Sequence, residues 1–236
     1  MDILCKNTFL KKFFKPLLLS IRFYLICCMK KLYHLNYSIN YVHLLCSSFI
    51  ILVFCACNTS KKITDKTTIK ILPRSSWNAL PAKDYKTHIP VRITVHHEGT
   101  KLEMADDAAK KINAIQRWGM GVEKKWTDIP YHYLIAPNGN IYEGRDVYTV
   151  GETSTEYDPT GHLLICCLGN RNESPVPKEQ LNALVQLIKY CSVKYNIPQD
   201  SLSTHKNFSK QTTCPGKYFE EYFLNGYIKA ALQKTK

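Results

Sequence analysis

His162-Leu163-Leu164-Ile165-Cys166-Cys167-Leu168 is an almost unbroken apolar run. It suits a central strand buried on both faces, the pattern of a sheet covered by helices on each side. Cys166 and Cys167 then project to opposite faces, each filling core as a small apolar side chain. Working outward, Tyr131-His132-Tyr133-Leu134-Ile135-Ala136 reads as a neighbouring strand. Pro137-Asn138-Gly139-Asn140 is a strong turn signal, and Ile141-Tyr142-Glu143 returns as the hairpin partner. Upstream, Val91-Arg92-Ile93-Thr94-Val95-His96 alternates and is β-branched, so it reads as a strand ending on histidines. Residues 103–118 place Met104, Ala108, Ile112 and Ile115 at helical spacing, with Gly119 as a stop. Downstream, Pro177 stands as a first helical residue, and Leu181, Leu184, Val185, Ile188 and Cys191 mark one helix face. A last helix uses Phe219, Tyr222, Phe223 and Tyr227. The order of elements predicts an α/β fold, a mixed central β-sheet flanked by helices.

With 236 residues, 45% hydrophobic and 22% charged, the chain is neither a disordered tail nor a low-complexity polymer. Its length fits one domain, or one domain plus an export segment, and leaves no room for a large multidomain enzyme. Six of the ten cysteines (Cys5, Cys27, Cys28, Cys46, Cys55 and Cys57) lie in the first quarter. A disulfide-stapled miniprotein is not the expectation, because the body is long enough to build its own core. Residues 1–57 carry seven Lys/Arg and one acid, whereas residues 58–236 carry 25 and 18, a net of +7. That balance suits a polyanionic surface such as a cell wall or membrane. Nucleic acid is not expected as a partner, since no finger, helix-turn-helix, RNA-binding signature or dense Arg/Lys stripe is present. No feature points to a specific protein partner.

Leu44 to Ala56 is an apolar run of 13 residues. It falls short of the roughly 20 that a spanning helix needs and is the right size for the apolar region of an export signal. Met29-Lys30-Lys31 gives it a basic start, which makes Met29 a candidate initiator. The run ends at Phe54-Cys55-Ala56-Cys57 and turns polar at Asn58-Thr59-Ser60-Lys61-Lys62. This resembles a bacterial lipoprotein signal, which implies lipidation at Cys57 and a membrane-anchored envelope protein; an uncleaved N-terminal anchor is the alternative. The expected organisation is a leader at 1–57, a short tether at 58–70 and one domain at 71–236.

His96-His97, His205 and Cys214 form a candidate metal set. Neutral imidazole nitrogens and one thiolate suit zinc, a borderline-soft ion, and three protein ligands leave a fourth position open. Spacing alone is weak evidence for it and favours ordinary packed histidines and a buried thiol. His162, opening an apolar strand, reads as structural. Trp77, Trp118 and Trp126 suit either a glycan groove or packing.

Further motifs follow one another in order along the body. They are Arg74-Ser75-Ser76-Trp77-Asn78-Ala79, Ile93-Thr94-Val95-His96-His97, and Trp126-Thr127-Asp128-Ile129-Pro130-Tyr131-His132-Tyr133-Leu134-Ile135. Next come Asn138-Gly139-Asn140-Ile141-Tyr142-Glu143-Gly144-Arg145, Gly161-His162-Leu163-Leu164-Ile165 and Leu168-Gly169-Asn170. The series closes with Thr204-His205 and Thr212-Thr213-Cys214-Pro215-Gly216. Over about 71–223 the chain resembles the zinc-dependent N-acetylmuramoyl-L-alanine amidase family, which includes phage lysozyme-type amidases and peptidoglycan recognition proteins. The resemblance implies a type 2 amidase-like fold, a zinc cofactor, and peptidoglycan or muropeptides as substrate. The bond cut would be the amide between N-acetylmuramic acid and L-alanine.

Residue by residue, His96, His205 and Cys214 match the family's zinc ligands. Tyr131 matches the tyrosine that positions the attacking water, and Thr212 falls where relatives carry lysine or threonine facing the scissile carbonyl. His97 occupies a position that varies in the family and is not expected as a ligand. His97, His132, Glu152 and Trp126 are further candidate substrate contacts, with His132 and Glu152 also candidate helpers in protonating the leaving amine. Relatives with an incomplete zinc set bind peptidoglycan without cutting it, so a non-catalytic recognition module is the alternative. Convergence of the three donors on one point distinguishes the two.

Overall fold

The apolar run at 162–168 forms a central strand. In the computed structural model, which describes residues 69–234, it is β5 (His162–Cys167), buried at every position. The expected leader, its Cys57 and the tether through residue 68 lie outside the described residues. The other strands are β1 (Ile71–Leu72), β2 (Arg92–His97), β3 (Tyr133–Ile135), β4 (Ile141–Glu143) and β6 (Leu202–Thr204). They form one sheet in the order β1-β4-β3-β5-β2-β6. Only the expected hairpin, β3 with β4, is antiparallel; β1/β4, β3/β5, β5/β2 and β2/β6 are parallel. The mixed sheet is therefore as the sequence pattern predicts.

Helices cover both faces. On one side Ile93, Val95, Leu163, Ile165 and Cys167 pack with Leu184, Leu187, Ile188 and Cys191 of α2 (Lys178–Lys194) and Phe219 of α3 (Lys217–Leu224). On the other, Leu134 and Cys166 meet Trp77 and Ile112 and Ile115 of α1 (Ala108–Gly119). Cys166 and Cys167 thus serve opposite cores, as strand alternation requires. Each fully buried aliphatic side chain contributes roughly 1.5–3 kcal/mol.

Some boundaries differ from the sequence reading. Helix α1 begins at Ala108, because the Asp107 side chain accepts the Lys110 N–H and caps it there. Met104 is consequently outside the helix and half exposed. Pro177 is the residue before α2 and not its first turn. The last helix is two: α3 ends, Asn225 Oδ1 accepts the Tyr227 N–H at 2.9 Å, and α4 (Tyr227–Gln233) starts. Strands β1 and β6 lacked a signal of their own, being two and three residues long.

Several motif residues are spent on scaffolding. Arg74 forks onto both oxygens of buried Asp128 (2.9 and 3.1 Å), which also accepts from Gln116 Nε2 and the Ile129 N–H. Trp77, 1% exposed, donates its indole N–H to the Glu143 carbonyl at 2.8 Å. Arg145, equally buried, donates to the carbonyls of Ile129 and Val150 and pairs with Glu152 at 2.7 Å. Gly144 has no space for a Cβ, which would run into the Tyr131 carbonyl. That close approach lets Gly144 and Arg145 donate backbone N–H groups to His132 and Tyr131.

His132 is fully buried and joins three parts of the chain. Its Nδ1 accepts the Leu164 N–H and its Nε2 meets the Thr149 carbonyl, both at 2.8 Å. A carbonyl only accepts, so the ring is the neutral Nε2–H tautomer, and a second proton would oppose the Leu164 N–H. Burial accordingly pushes its pKa down to about 3. The unfolded chain binds a proton near pH 6.5 that the native ring refuses, so this contribution to stability is lost as pH falls from about 6.5 toward 3. We predict that His132→Gln lowers the protons taken up on unfolding at pH 5 by about one, read from the pH dependence of the denaturation midpoint. An unchanged pH slope would contradict the assignment.

Candidate metal centre

The site forms at the carboxyl ends of parallel strands, where open α/β sheets place their ligands. His96 is the fifth residue of β2, and His205 directly follows β6, whose Thr204 lies beside Val95. Parallel pairing therefore brings two histidines together from positions 109 apart in sequence. Their rings lie 4.6 Å apart between centroids. The turn His205–Asn207 is closed by Asn207 Oδ1, which accepts both the N–H and the hydroxyl of Thr204 at 2.8 Å. Cys214 returns from the 206–213 loop, and its Sγ stands 3.7 Å from His96 Nδ1. One donor atom each from His96, His205 and Cys214 lies within 4.8 Å of the other two, and all three residues are buried.

His97 does not join this set, for a geometric reason. Successive strand side chains point to opposite faces, so His97 turns away from His96. Its Nδ1 accepts the Arg171 N–H at 3.1 Å, while its backbone N–H donates to Cys214 Sγ at 3.3 Å. Arg171 is itself buried and donates to Leu168, Ser174 and Pro175. The Cys214 loop closes onto Arg171: Gly216 has φ 90°, and a Cβ there would stand 2.5 Å from the Arg171 carbonyl carbon. Only a glycine meets both demands.

The outward nitrogens of both histidines are occupied. His205 Nε2 meets Thr155 Oγ1 at 2.7 Å, and His96 Nε2 meets the Tyr157 hydroxyl at 3.5 Å. That leaves Nδ1 of each ring for a metal. Burial lowers the pKa of both, that of His205 to about 4, so they stand as neutral imidazoles, the form that binds metal. Burial pushes the Cys214 thiol up to about 12, with the His97 N–H acting in the other direction. Two neutral nitrogens and one sulfur that a dication would ionise are a donor set suited to zinc, and the residues present fit it.

The Tyr131 ring lies 5.4 Å from that of His96. Burial holds its phenol well above the ordinary range, with Cys166 and Cys214 adding to the effect, so it is a hydrogen-bond donor and not a base. Thr212 accepts the Cys214 N–H at 3.0 Å and keeps its own proton to donate. The remaining candidates stand elsewhere. His132 has both nitrogens bound to backbone, which corrects its expected part as a proton donor or substrate contact. Glu152 is likewise taken, by Arg145 and by the Thr127 N–H at 2.8 Å. Trp126 packs on Gly119 and stands edge-on to exposed Trp118, with Lys124 over both rings. His162 is structural, its Nδ1 2.9 Å from Thr94 Oγ1 and its ring against Phe208. Thr155 and Tyr157 were not legible beforehand, because the 151–161 loop carries no periodic or metal-binding pattern.

The family model for N-acetylmuramoyl-L-alanine amidase, Amidase_2, matches residues 86–217. Peptidoglycan-recognition protein SD of Drosophila melanogaster is 32% identical over 127 residues, covering 51% of this chain and 66% of that protein. The chain thus spans slightly less than two thirds of that relative's length. The crystal structure of Drosophila peptidoglycan recognition protein SD superposes with a TM-score of 0.59 at 28% identity, over 66% of this chain and 94% of the other. The N-acetylmuramoyl-L-alanine amidase LysC from Clostridium intestinale gives 0.56 at 31% identity, over 71% and 100%. A family match across more than half the sequence, centred on a buried His-His-Cys cluster, places the chain in the N-acetylmuramoyl-L-alanine amidase family.

Proposed function

We propose that the protein is a zinc-dependent amidase that hydrolyses the bond between N-acetylmuramic acid and L-alanine in peptidoglycan or muropeptides. The observation that carries this reading is the convergence of His96, His205 and Cys214 on one point beside the Tyr131 ring. A complete donor set favours hydrolysis over recognition without cleavage. When bound there, zinc supplies Lewis-acid polarisation of an amide carbonyl and acidifies water at neutral pH. His96 Nδ1, His205 Nδ1 and Cys214 Sγ would hold it. Tyr131, kept protonated by burial, orients the attacking water as a donor. Thr212 offers its hydroxyl proton to the carbonyl oxygen as negative charge develops there. Its donor is neutral, so electrostatic stabilisation from this chain's own side chains is modest. The net basic charge of residues 58–236 favours approach to an anionic wall polymer.

We further propose that the protein is exported and held at a bacterial envelope membrane by lipid on Cys57, with 58–70 as tether. The sequence from Leu44 to Cys57 supports this. Among the described residues no helix is long and apolar enough to cross a membrane. Intact mass of membrane-extracted protein is expected to show a chain beginning at a lipidated Cys57. A chain that retains residues 29–56 would overturn that assignment.

Fragment masses from muropeptides incubated with the protein test the activity. Zinc-loaded enzyme is expected to release stem peptide beginning with L-alanine together with peptide-free glycan, and a chelator to abolish the release. Tyr131→Phe should lower kcat about 10²-fold, on the scale of losing one oriented donor, with zinc content unchanged. Muropeptide binding without cleavage by the zinc-loaded protein would make it a recognition module, and full turnover by Tyr131→Phe would remove that residue from the mechanism.

A further inference from the structure

The 152–157 segment crosses the metal centre between β4 and β5, and its side chains are tied down on several sides. Glu152 binds Arg145 and the Thr127 N–H. Ser154 Oγ accepts from Lys124 Nζ at 2.9 Å, the same ammonium that lies over the Trp118 and Trp126 rings. Glu156 takes the Ser209 hydroxyl at 2.5 Å and the Lys210 N–H at 3.1 Å, both within the loop joining His205 to Cys214. Thr155 sits between these anchors and Tyr157 directly follows them, and their hydroxyls meet the outward nitrogens of His205 and His96.

Thr153 Oγ1 lies 2.9 Å from Thr155 Oγ1 and also accepts the Thr155 N–H at 3.2 Å. Either hydroxyl of that pair can donate; where Thr155 gives its proton to Thr153, one of its lone pairs faces His205 Nε2, which then carries the hydrogen. That assignment leaves the Nδ1 lone pair free for a metal. Hydrogen bonds of this kind set the tautomer and orientation of metal-ligating histidines.

Building on the zinc reading above, we propose that Thr155 is a positioning residue of the metal centre, and that segment 152–157 is the strap that holds His205 in its Nε2–H tautomer with Nδ1 presented to the metal. Thr155 touches neither metal nor substrate in this account. Loss of its hydroxyl frees the ring to rotate and to exchange tautomers, which weakens binding without removing a ligand.

Zinc affinity of the full chain, measured by competition with a chromophoric chelator, tests this. Thr155→Val, close to isosteric, should bind zinc about 10- to 100-fold more weakly, whereas Thr155→Ser should stay close to wild type. The visible absorption of the cobalt-substituted protein should change in Thr155→Val and not in Thr155→Ser. Long-range proton–nitrogen NMR of the zinc-loaded wild type needs no variant to fold and should show His205 protonated at Nε2. A His205 bound to metal through Nε2, or wild-type affinity and spectrum in Thr155→Val, would overturn the proposal while leaving the zinc site standing. A wild type that binds no zinc would overturn both.

Discussion

The backbone N–H of His97 donates to Cys214 Sγ across 3.3 Å, tying the end of β2 to a residue 117 positions away. Much of the site follows from that contact and from the alternation of β2. Because adjacent strand residues face opposite ways, the His96-His97 pair divides its labour. His96 turns to the donor cluster, while His97 turns to the other face and receives the Arg171 N–H. Arg171 in turn supports the loop that delivers Cys214, through its carbonyl to the Tyr218 N–H and its close packing on Gly216. The cysteine is therefore positioned by the same dipeptide that supplies the first ligand.

Burial keeps the histidines of this region uncharged. His96, His97, His132, His162 and His205 are all depressed below the ordinary imidazole pKa, with burial the leading cause in each. His132 and His162 bind no metal in this account, yet they share with the ligands a requirement for the neutral ring. The buried cations are handled differently. Arg145 and Arg171 stay in the interior because carbonyls, a carboxylate and hydroxyls surround their guanidinium groups. Deleting one of those partners would strand a charge, which explains why so many polar motif residues do scaffolding and so few do chemistry.

The sheet was legible in the sequence wherever a strand carried its own pattern. The β5 run is apolar after His162 and β2 alternates, so both announced themselves, as did the Asn138-Gly139 hairpin. Strands β1 and β6 are defined by pairing and not by pattern, which is why β6, the strand that delivers His205, was invisible. Spacing alone could not tell the His-His-Cys set from packed side chains; the resemblance of ordered motifs assigned it, and the fold brought the donors together. His132 and Glu152 looked like available acid–base groups because a sequence does not show which ring nitrogens and carboxylate oxygens are already bonded. Thr155 and Tyr157 escaped notice for the converse reason, since hydroxyls acquire meaning only from what they touch.

Zinc X-ray absorption on the purified protein, with metal content measured on the same sample, addresses the centre of the account. One zinc per chain, with a single sulfur scatterer at about 2.3 Å and imidazole nitrogens at about 2.0–2.1 Å, is the predicted result. Substoichiometric zinc, or a first coordination sphere without sulfur, would contradict the assignment of His96, His205 and Cys214 as one metal site.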